Sequence, residues 1–217
     1  INHLWPTYEY SKYTMRGGSE LTANKQGEKN GGLDIAYATQ WSYSPQELPN
    51  IMIPNYNGGS SAGELSKSSE TYKVFKNAGY QDADNVIKQM PLYWGPQPFT
   101  AGPMYIGAIS VFLFILGLML VPGSMKWWIA GVSLVAVLLS WGSHFLFFTE
   151  LFFKYAPLYN KFRTVSMILV ILQVLVPLLA FVTVDRLLKG EYDHKKVKQG
   201  IVVSLVITAG FSLLVAL

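Results

Sequence analysis

The stretch "PMYIGAISVFLFILGLMLV", residues 103–121, decides the fold class, because it lies in a charge-free interval between Lys88 and Lys126. About 20 consecutive apolar residues are the length that crosses a bilayer as one helix. Three more apolar runs follow, and the sequence predicts spans at about 103–121, 127–148, 165–184 and 201–217. This pattern favours a mainly α, polytopic membrane protein with about four transmembrane helices over a soluble helical core.

Composition supports a membrane location. The 217 residues are 51% hydrophobic and 14% charged, whereas soluble domains carry roughly a quarter charged residues. Residues 101–217 hold nine Lys or Arg against four Asp or Glu, so the net charge of +4 belongs to the apolar half. We therefore expect membrane lipids, and not nucleic acid, as partners. The absence of cysteine excludes disulfides and thiolate chemistry.

Charge in the short loops predicts the orientation. Residues 185–199 hold five Lys or Arg and should be cytoplasmic by the positive-inside rule. Counting back by parity places the loop at 149–164 outside and makes residues 1–100 an extracytoplasmic domain that follows an upstream transmembrane helix; residues 101–217 form the transmembrane region. The external part is rich in Gly, Asn, Ser and aromatics, which predicts turns and short strands. Two helices are expected there, at 68–79 with a Ser cap and near 82–90, giving a mixed α/β loop domain.

A basic segment precedes the third apolar run. "YAPLYNKFRT" at 155–164 contains Lys161 and Arg163 and follows Lys154, so three cations stand on a surface predicted to face outwards, against the usual bias. Cations beside a helix start suit a phosphate at headgroup depth, and we predict that Lys161, Arg163 and Lys154 bind one. The alternative is that these side chains snorkel to lipid headgroups without a specific ligand.

Aromatic and acidic residues supply further candidates. External aromatics could stack on sugar rings or could form the core of the domain; among them we predict Trp41, Tyr43 and Trp94 as sugar-binding residues. Glu9 and Glu150 lie nearest the predicted outer interface and are the candidate catalytic carboxylates, with a solvated or ion-paired role as the alternative. No HExxH, GxSxG or dinucleotide fingerprint occurs, and neither a metal nor a cofactor is expected.

Several blocks resemble one known family. "LWPTYEYSKYTMRGGSEL", "GLDIAYATQWSYSPQEL", "IPNYNGGSS", "YWGPQPFTAGPMYIGA" and "YAPLYNKFRTVSM" together resemble the YfhO family of bacterial membrane proteins, particularly those of Bacteroidetes. Members of that family are much larger, so the resemblance implies that this chain is an internal portion, and it starts without Met and ends in an apolar run. The family is similar to glycosyltransferases of the C-type fold, whose catalytic acid usually lies in the first external loop, which would precede Ile1.

The resemblance implies a function. We expect an enzyme of the bacterial inner membrane that transfers a sugar from a polyprenyl-phosphate-linked donor to an envelope glycan acceptor at the outer face. The alternatives are a transporter or flippase of lipid-linked sugars, and a scaffold for envelope assembly.

Overall fold

The architecture is mainly helical. A computed structural model of the chain describes residues 4–11, 13–14 and 32–216. The α-helices are α1 Leu4–Ser11, α2 Ile35–Ala38, α3 Glu70–Asn77, α4 Ala83–Val86, α5 Ala108–Leu120, α6 Met125–Ser140, α7 Leu146–Tyr155, α8 Val170–Leu188 and α9 His194–Ala216. Short 3₁₀ helices occupy Pro45–Ile51, Ile87–Gln89, Gly142–Phe145, Tyr159–Lys161 and Val165–Leu169. Within the described ranges there is no strand, only two isolated antiparallel bridges, Gly58 with Tyr93 and Gly63 with Met90.

The chain divides into two compact units. The first contains the described residues of Ile1–Tyr43 together with Val137–Ile168, and the second contains Ser44–Ala136 together with Leu169–Leu217. The mixed α/β character expected for residues 1–100 is not supported by the described residues, because turns and 3₁₀ helices replace the expected strands. Within residues 9–50, from which turns and short strands were expected, residues 12 and 15–31 lie outside the described residues.

The second unit contains three apolar helices in contact, with α5 packed against both α8 and α9. Two glycines permit the close approach. A Cβ on Gly117 would collide with Leu179 and Thr183 of α8, and one on Gly200 of α9 would lie 2.8 Å from the Leu116 side chain. Small residues at helix crossings are typical of packing inside a bilayer, where backbones can approach closely.

The structure contains long apolar helices, which agree with the predicted membrane location. The structure has two helices long and apolar enough to cross a bilayer, Val165–Leu188 and His194–Val215, or three if a bent pair counts as one span. At 1.5 Å per residue they are about 36 and 33 Å long, against a hydrocarbon thickness of about 30 Å. The expected count of four is not supported, since α5 has only 13 residues. Residues 103–107 are not helical and Gly107 has a φ of +112°, which delays the start of α5.

Two predicted boundaries also change. The second apolar run does not continue to residue 148, because α6 ends at Ser140 and the following helical segment, Gly142–Tyr155, is bent away by 106°. Gly142 at the break has a φ of +44°, in the left-handed region. The basic stretch 185–199 is mostly helix, with only residues 189–193 between α8 and α9.

The predicted short helices are confirmed. α3 begins after Ser69, whose hydroxyl accepts a hydrogen bond from the Tyr72 N–H at 3.3 Å, and Gly79 follows its end with a φ of +77°. α4 and the 3₁₀ helix Ile87–Gln89 form the second, which ends before Pro91. Capping by Ser69 and the Gly79 terminator were sufficient to locate α3. The second helix followed from its boundaries at Asp82 and Pro91, although Asp82 makes no side-chain cap hydrogen bond.

Candidate functional site

In the first unit, Arg163 lies against two aromatic rings. Its guanidinium carbon is 4.5 Å from the ring centre of Trp41 and 5.1 Å from that of Tyr37. A guanidinium nitrogen of Arg163 also donates a hydrogen bond of 2.5 Å to the Tyr37 hydroxyl. Such distances allow cation–π attraction, which is stronger where water is partly excluded, as around this half-buried arginine.

The backbone holds these side chains in place. Asp34 caps α2 by accepting a hydrogen bond from the Tyr37 N–H at 3.1 Å. Two backbone hydrogen bonds join the basic segment 155–164 to the segment that contains α2. The Leu33 N–H donates to the Asn160 carbonyl at 2.8 Å, and the Thr164 N–H donates to the Ala38 carbonyl at 3.1 Å. The basic segment and the Tyr37–Trp41 segment therefore run side by side.

Of the three predicted phosphate residues, Arg163 is the one that lies against two aromatic rings. It stands two residues before the candidate span Val165–Leu188. Lys161 is half-buried at the end of a 3₁₀ helix. Lys154 is exposed at the end of α7, with its ammonium 5.4 Å from the ring centre of its neighbour Tyr155. The structure thus joins Arg163 to Trp41, a predicted phosphate ligand to a predicted sugar ligand.

The three predicted sugar-binding residues lie in different surroundings. Trp41 is half-buried beneath Arg163. Tyr43 is 1% exposed, and its backbone N–H donates to the Ser140 carbonyl at 2.8 Å. In this conformation its ring belongs to the core and offers no face to a sugar. Trp94, in the second unit, is 71% exposed.

Trp94 lies on an open cleft of about 870 Å³ within the second unit. Tyr56 adds another ring to the lining, and Gln46 and Asn57 add side-chain amides. Part of the lining is apolar, because Phe211 and Val215, from the last two turns of α9, also line the cleft. The cleft therefore combines aromatic rings, amides and the end of a candidate membrane-crossing helix.

The indole of Trp94 is held across the backbone of Gly58. A Cβ at Gly58 would lie 2.5 Å from the Trp94 ring and would also collide with the Leu92 carbonyl. The backbone N–H of Trp94 donates to the Asn57 carbonyl at 3.1 Å. Only glycine permits this approach, since Gly58 also has a φ of +78°.

A buried carboxylate supports the same region. Glu47 is fully buried and accepts hydrogen bonds from the Ser44 N–H at 2.7 Å, the Tyr93 hydroxyl at 2.7 Å and the Gln97 amide at 3.1 Å. Burial, and then the bond to Glu47, raises the pKa of Tyr93 well above its ordinary value. Tyr93 stays protonated and donates, so Glu47 ties the residue beside Trp94 to the 3₁₀ helix that lines the cleft.

The two predicted catalytic carboxylates lie on exposed helix surfaces. Glu9 on α1 and Glu150 on α7 are both exposed. Across residues 4–11, 13–14 and 32–216, no group of three His, Asp or Glu side chains is placed to hold a metal ion. The role of Glu9 or Glu150 as a catalytic base stays a prediction.

Sequence reasoning included Tyr37 and Tyr56 only among the external aromatics that could bind a sugar or form the core. It did not single out Gln46, Asn57 or the end of α9 as site residues. Tyr37 and Trp41 are four positions apart, as are Phe211 and Val215. On α9 that spacing puts Phe211 and Val215 on one side of the helix and could have indicated this pair, whereas Trp41 lies beyond the end of α2 and is outside such a rule. The two amides had no such signal, because only the folded loop brings them to the cleft.

Comparison of the chain with protein-family models, with curated proteins and with solved structures gives no match. The resemblance to the YfhO family therefore stays a prediction, and function has to be inferred from the geometry above.

Proposed function

We propose that this membrane protein binds a polyprenyl-phosphate-linked sugar and acts in the transfer of that sugar to an envelope glycan at the outer face of the bacterial inner membrane. The observation that carries the proposal is the cleft that Trp94 lines together with the apolar end of α9. A lipid-linked sugar has the same two halves, a polar ring with apolar faces and a hydrocarbon chain.

Each wall of the cleft suits one half of that ligand. The exposed indole of Trp94 supplies a flat face for a sugar ring, and the amide of Gln46 can donate to and accept from its hydroxyls. The Asn57 amide, whose oxygen already accepts a hydrogen bond from Asn50 at 2.7 Å, can donate to them. Phe211 and Val215 lie on the candidate span His194–Val215, which exposes apolar side chains suited to lipid. A polyprenyl chain could follow this helix out of the cleft into the bilayer.

In the first unit, taken by itself, Arg163 is the proposed ligand for a lipid phosphate. If the span from Val165 crosses the membrane, Arg163 lies at headgroup depth, where lipid phosphates are found. The rings of Trp41 and Tyr37 lie against its guanidinium and leave further N–H groups to donate. Lys161 and Lys154 would add positive charge to this surface, and Glu9 or Glu150 would serve as general base.

The test separates the sugar from the lipid. Binding of polyprenyl-phosphate-glucose, polyprenyl-phosphate-N-acetylglucosamine and unglycosylated polyprenyl phosphate would be measured on the full-length protein in micelles. Trp94→Ala should weaken binding of the preferred glycolipid by about tenfold, the loss of one stacking contact, and leave polyprenyl phosphate unaffected. Trp128→Ala is the matched control, since Trp128 is an exposed tryptophan on α6 that does not line the cleft.

Arg163→Ala should weaken all three lipids together, because the phosphate is common to them. If the Trp94→Ala protein bound every glycolipid as tightly as the wild-type protein does, the sugar site would be refuted. Unchanged lipid binding by Arg163→Ala would refute the phosphate role.

A further inference from the structure

A second cleft of about 420 Å³ lies in the second unit where α5 ends, α8 ends and α9 begins. Its charged lining consists of Arg186, Glu191, Asp193 and Lys196, with the ring of Tyr192 among them. Met119, Leu120 and Pro122 at the end of α5 supply an apolar side. The cleft is thus amphipathic, and two cations are balanced by two carboxylates.

The charged side chains that line this cleft are only partly paired with each other. A guanidinium nitrogen of Arg186 lies 3.4 Å from a Glu191 oxygen, longer than a well-formed charged hydrogen bond. The adjacent Lys189 is already bonded to Asp185 at 2.7 Å and does not line the cleft. Lys196 and Asp193 are exposed. Arg186, Lys196, Glu191 and Asp193 therefore keep hydrogen-bonding capacity for a ligand.

Tyr192 adds an observation that points to a ligand. Its hydroxyl is buried, and no residue that the structure describes accepts its hydrogen. Burial raises the pKa of Tyr192, and the charge and the hydrogen-bonding N–H groups of the nearby Arg186 oppose that rise. A buried O–H without an acceptor is costly, and a ligand that accepts its hydrogen bond would remove the cost.

The depth of the cleft indicates a lipid. It is formed at the ends of the two candidate spans, Val165–Leu188 and His194–Val215, at the level where headgroups meet the helices. Leu188, the last residue of α8, is 83% exposed, as expected for a side chain that contacts acyl chains. A ligand at this level would place its polar group among the charges and its apolar part along Met119 and Leu120.

We propose that this cleft binds the headgroup of a zwitterionic phospholipid of the phosphoethanolamine type. The phosphate accepts hydrogen bonds from Arg186, Lys196 and the Tyr192 hydroxyl, and the ammonium donates to Glu191 and Asp193. A purely anionic headgroup would leave the two carboxylates facing negative charge. A phosphocholine headgroup has no ammonium N–H to donate to them.

The test uses short-chain phosphatidylethanolamine, phosphatidylcholine and phosphatidylglycerol, titrated onto the full-length, delipidated protein and counted as bound adducts by native mass spectrometry. Phosphatidylethanolamine should bind about tenfold more tightly than either of the others, which is the worth of one or two charge-assisted hydrogen bonds. Inorganic phosphate at millimolar concentration should not displace it. Displacement at that concentration would show a free-phosphate site and overturn the lipid assignment.

Variants assign the two halves of the headgroup. Lys196→Gln should weaken all three lipids several-fold, whereas Glu191→Gln should remove the preference for phosphatidylethanolamine over phosphatidylglycerol. Tyr192→Phe should weaken binding while leaving the unfolding temperature unchanged or higher, because it deletes an unpartnered hydroxyl. Lys198→Gln, an exposed lysine on α9 outside the cleft, is the matched control. Equal affinities for the three lipids would overturn the proposal. It would also be overturned if neither Lys196→Gln nor Glu191→Gln changed lipid binding.

Discussion

Replacing Arg163 with Ala tests whether its aromatic surroundings stabilise the fold. The substitution removes two ring contacts, at 4.5 Å to Trp41 and 5.1 Å to Tyr37, and the hydrogen bond to the Tyr37 hydroxyl. A partly buried cation–π contact is worth about 1 kcal/mol and a hydrogen bond to a charged group about 1.5 kcal/mol. Since the contacts share one side chain and are not additive, we expect a loss of about 2 kcal/mol in the free energy of unfolding.

A double-mutant cycle isolates the ring contact from other effects of the substitution. Arg163→Ala, Trp41→Leu and the double variant would be unfolded reversibly in mixed micelles of increasing SDS content. The expected coupling free energy between Arg163 and Trp41 is about 1 kcal/mol. Arg163→Lys should recover only part of the loss, because an ammonium lacks the planar surface that lies on the ring.

Lys154 supplies the control for this cycle. Its ammonium is also near a ring, 5.4 Å from the centre of Tyr155, but both side chains are exposed. We expect its coupling to be below about 0.5 kcal/mol, because water screens an exposed pair. A coupling for Arg163 and Trp41 as small as that of the Lys154 pair would refute the reasoning and remove the basis for a preorganised guanidinium.

Substitutions of Gly142 and Tyr159 test the first unit, and Gly131 and Tyr155 supply their controls. Gly142→Ala should destabilise by about 2 kcal/mol or more, because φ is +44° and the new methyl group would collide with Ser42 and Val165, whereas Gly131→Ala, with nothing within 4 Å, should be neutral or stabilising. Burial raises the pKa of Tyr159 to about 12, and its hydroxyl is buried without a described partner. The neutral phenol is favoured in the fold, so this contribution is full below about pH 10 and is lost as pH rises towards 12. Tyr159→Phe should flatten that alkaline loss in pH-dependent unfolding, and Tyr155→Phe, at an exposed ring, should not; an unchanged profile for Tyr159→Phe would contradict this.

The parts of the fold predicted correctly are those fixed by local chemistry. α3 followed from its Ser69 cap and Gly79, and the span from Val165 followed from an uninterrupted apolar run. The boundaries that changed depend on the backbone at glycine. Gly107 and Gly142 adopt positive φ, and these conformations shorten α5 and bend the chain after α6. Apolar composition alone does not distinguish a continuous helix from one that breaks at such a residue.

The candidate site shows the same division between local and long-range causes. Arg163 was predicted from its position before a span, which is a property of neighbouring residues. Its contact with Tyr37 joins residues 126 positions apart. The sequence also could not predict which of Tyr43 and Trp94 is buried. Both are aromatic residues in polar surroundings, and only the packing decides their burial. Their burial, 1% and 71% exposed, gives them opposite capacities for a ligand.

The shortness of α5 also explains why the Trp94 cleft lies beside a membrane helix. Residues 103–107 remain outside the helix, and the N–H groups of Ile106 and Gly107 both donate to the Ile51 carbonyl at 3.1 Å. Ile51 ends the 3₁₀ helix that contains Glu47 and supplies Gln46 to the cleft. Because α5 packs against α9, this pair of hydrogen bonds connects the polar wall of the cleft to the helix that supplies its apolar wall. A longer α5 would consume the two N–H groups within its own helix and remove this connection, so the short helix supports the proposed lipid–sugar site.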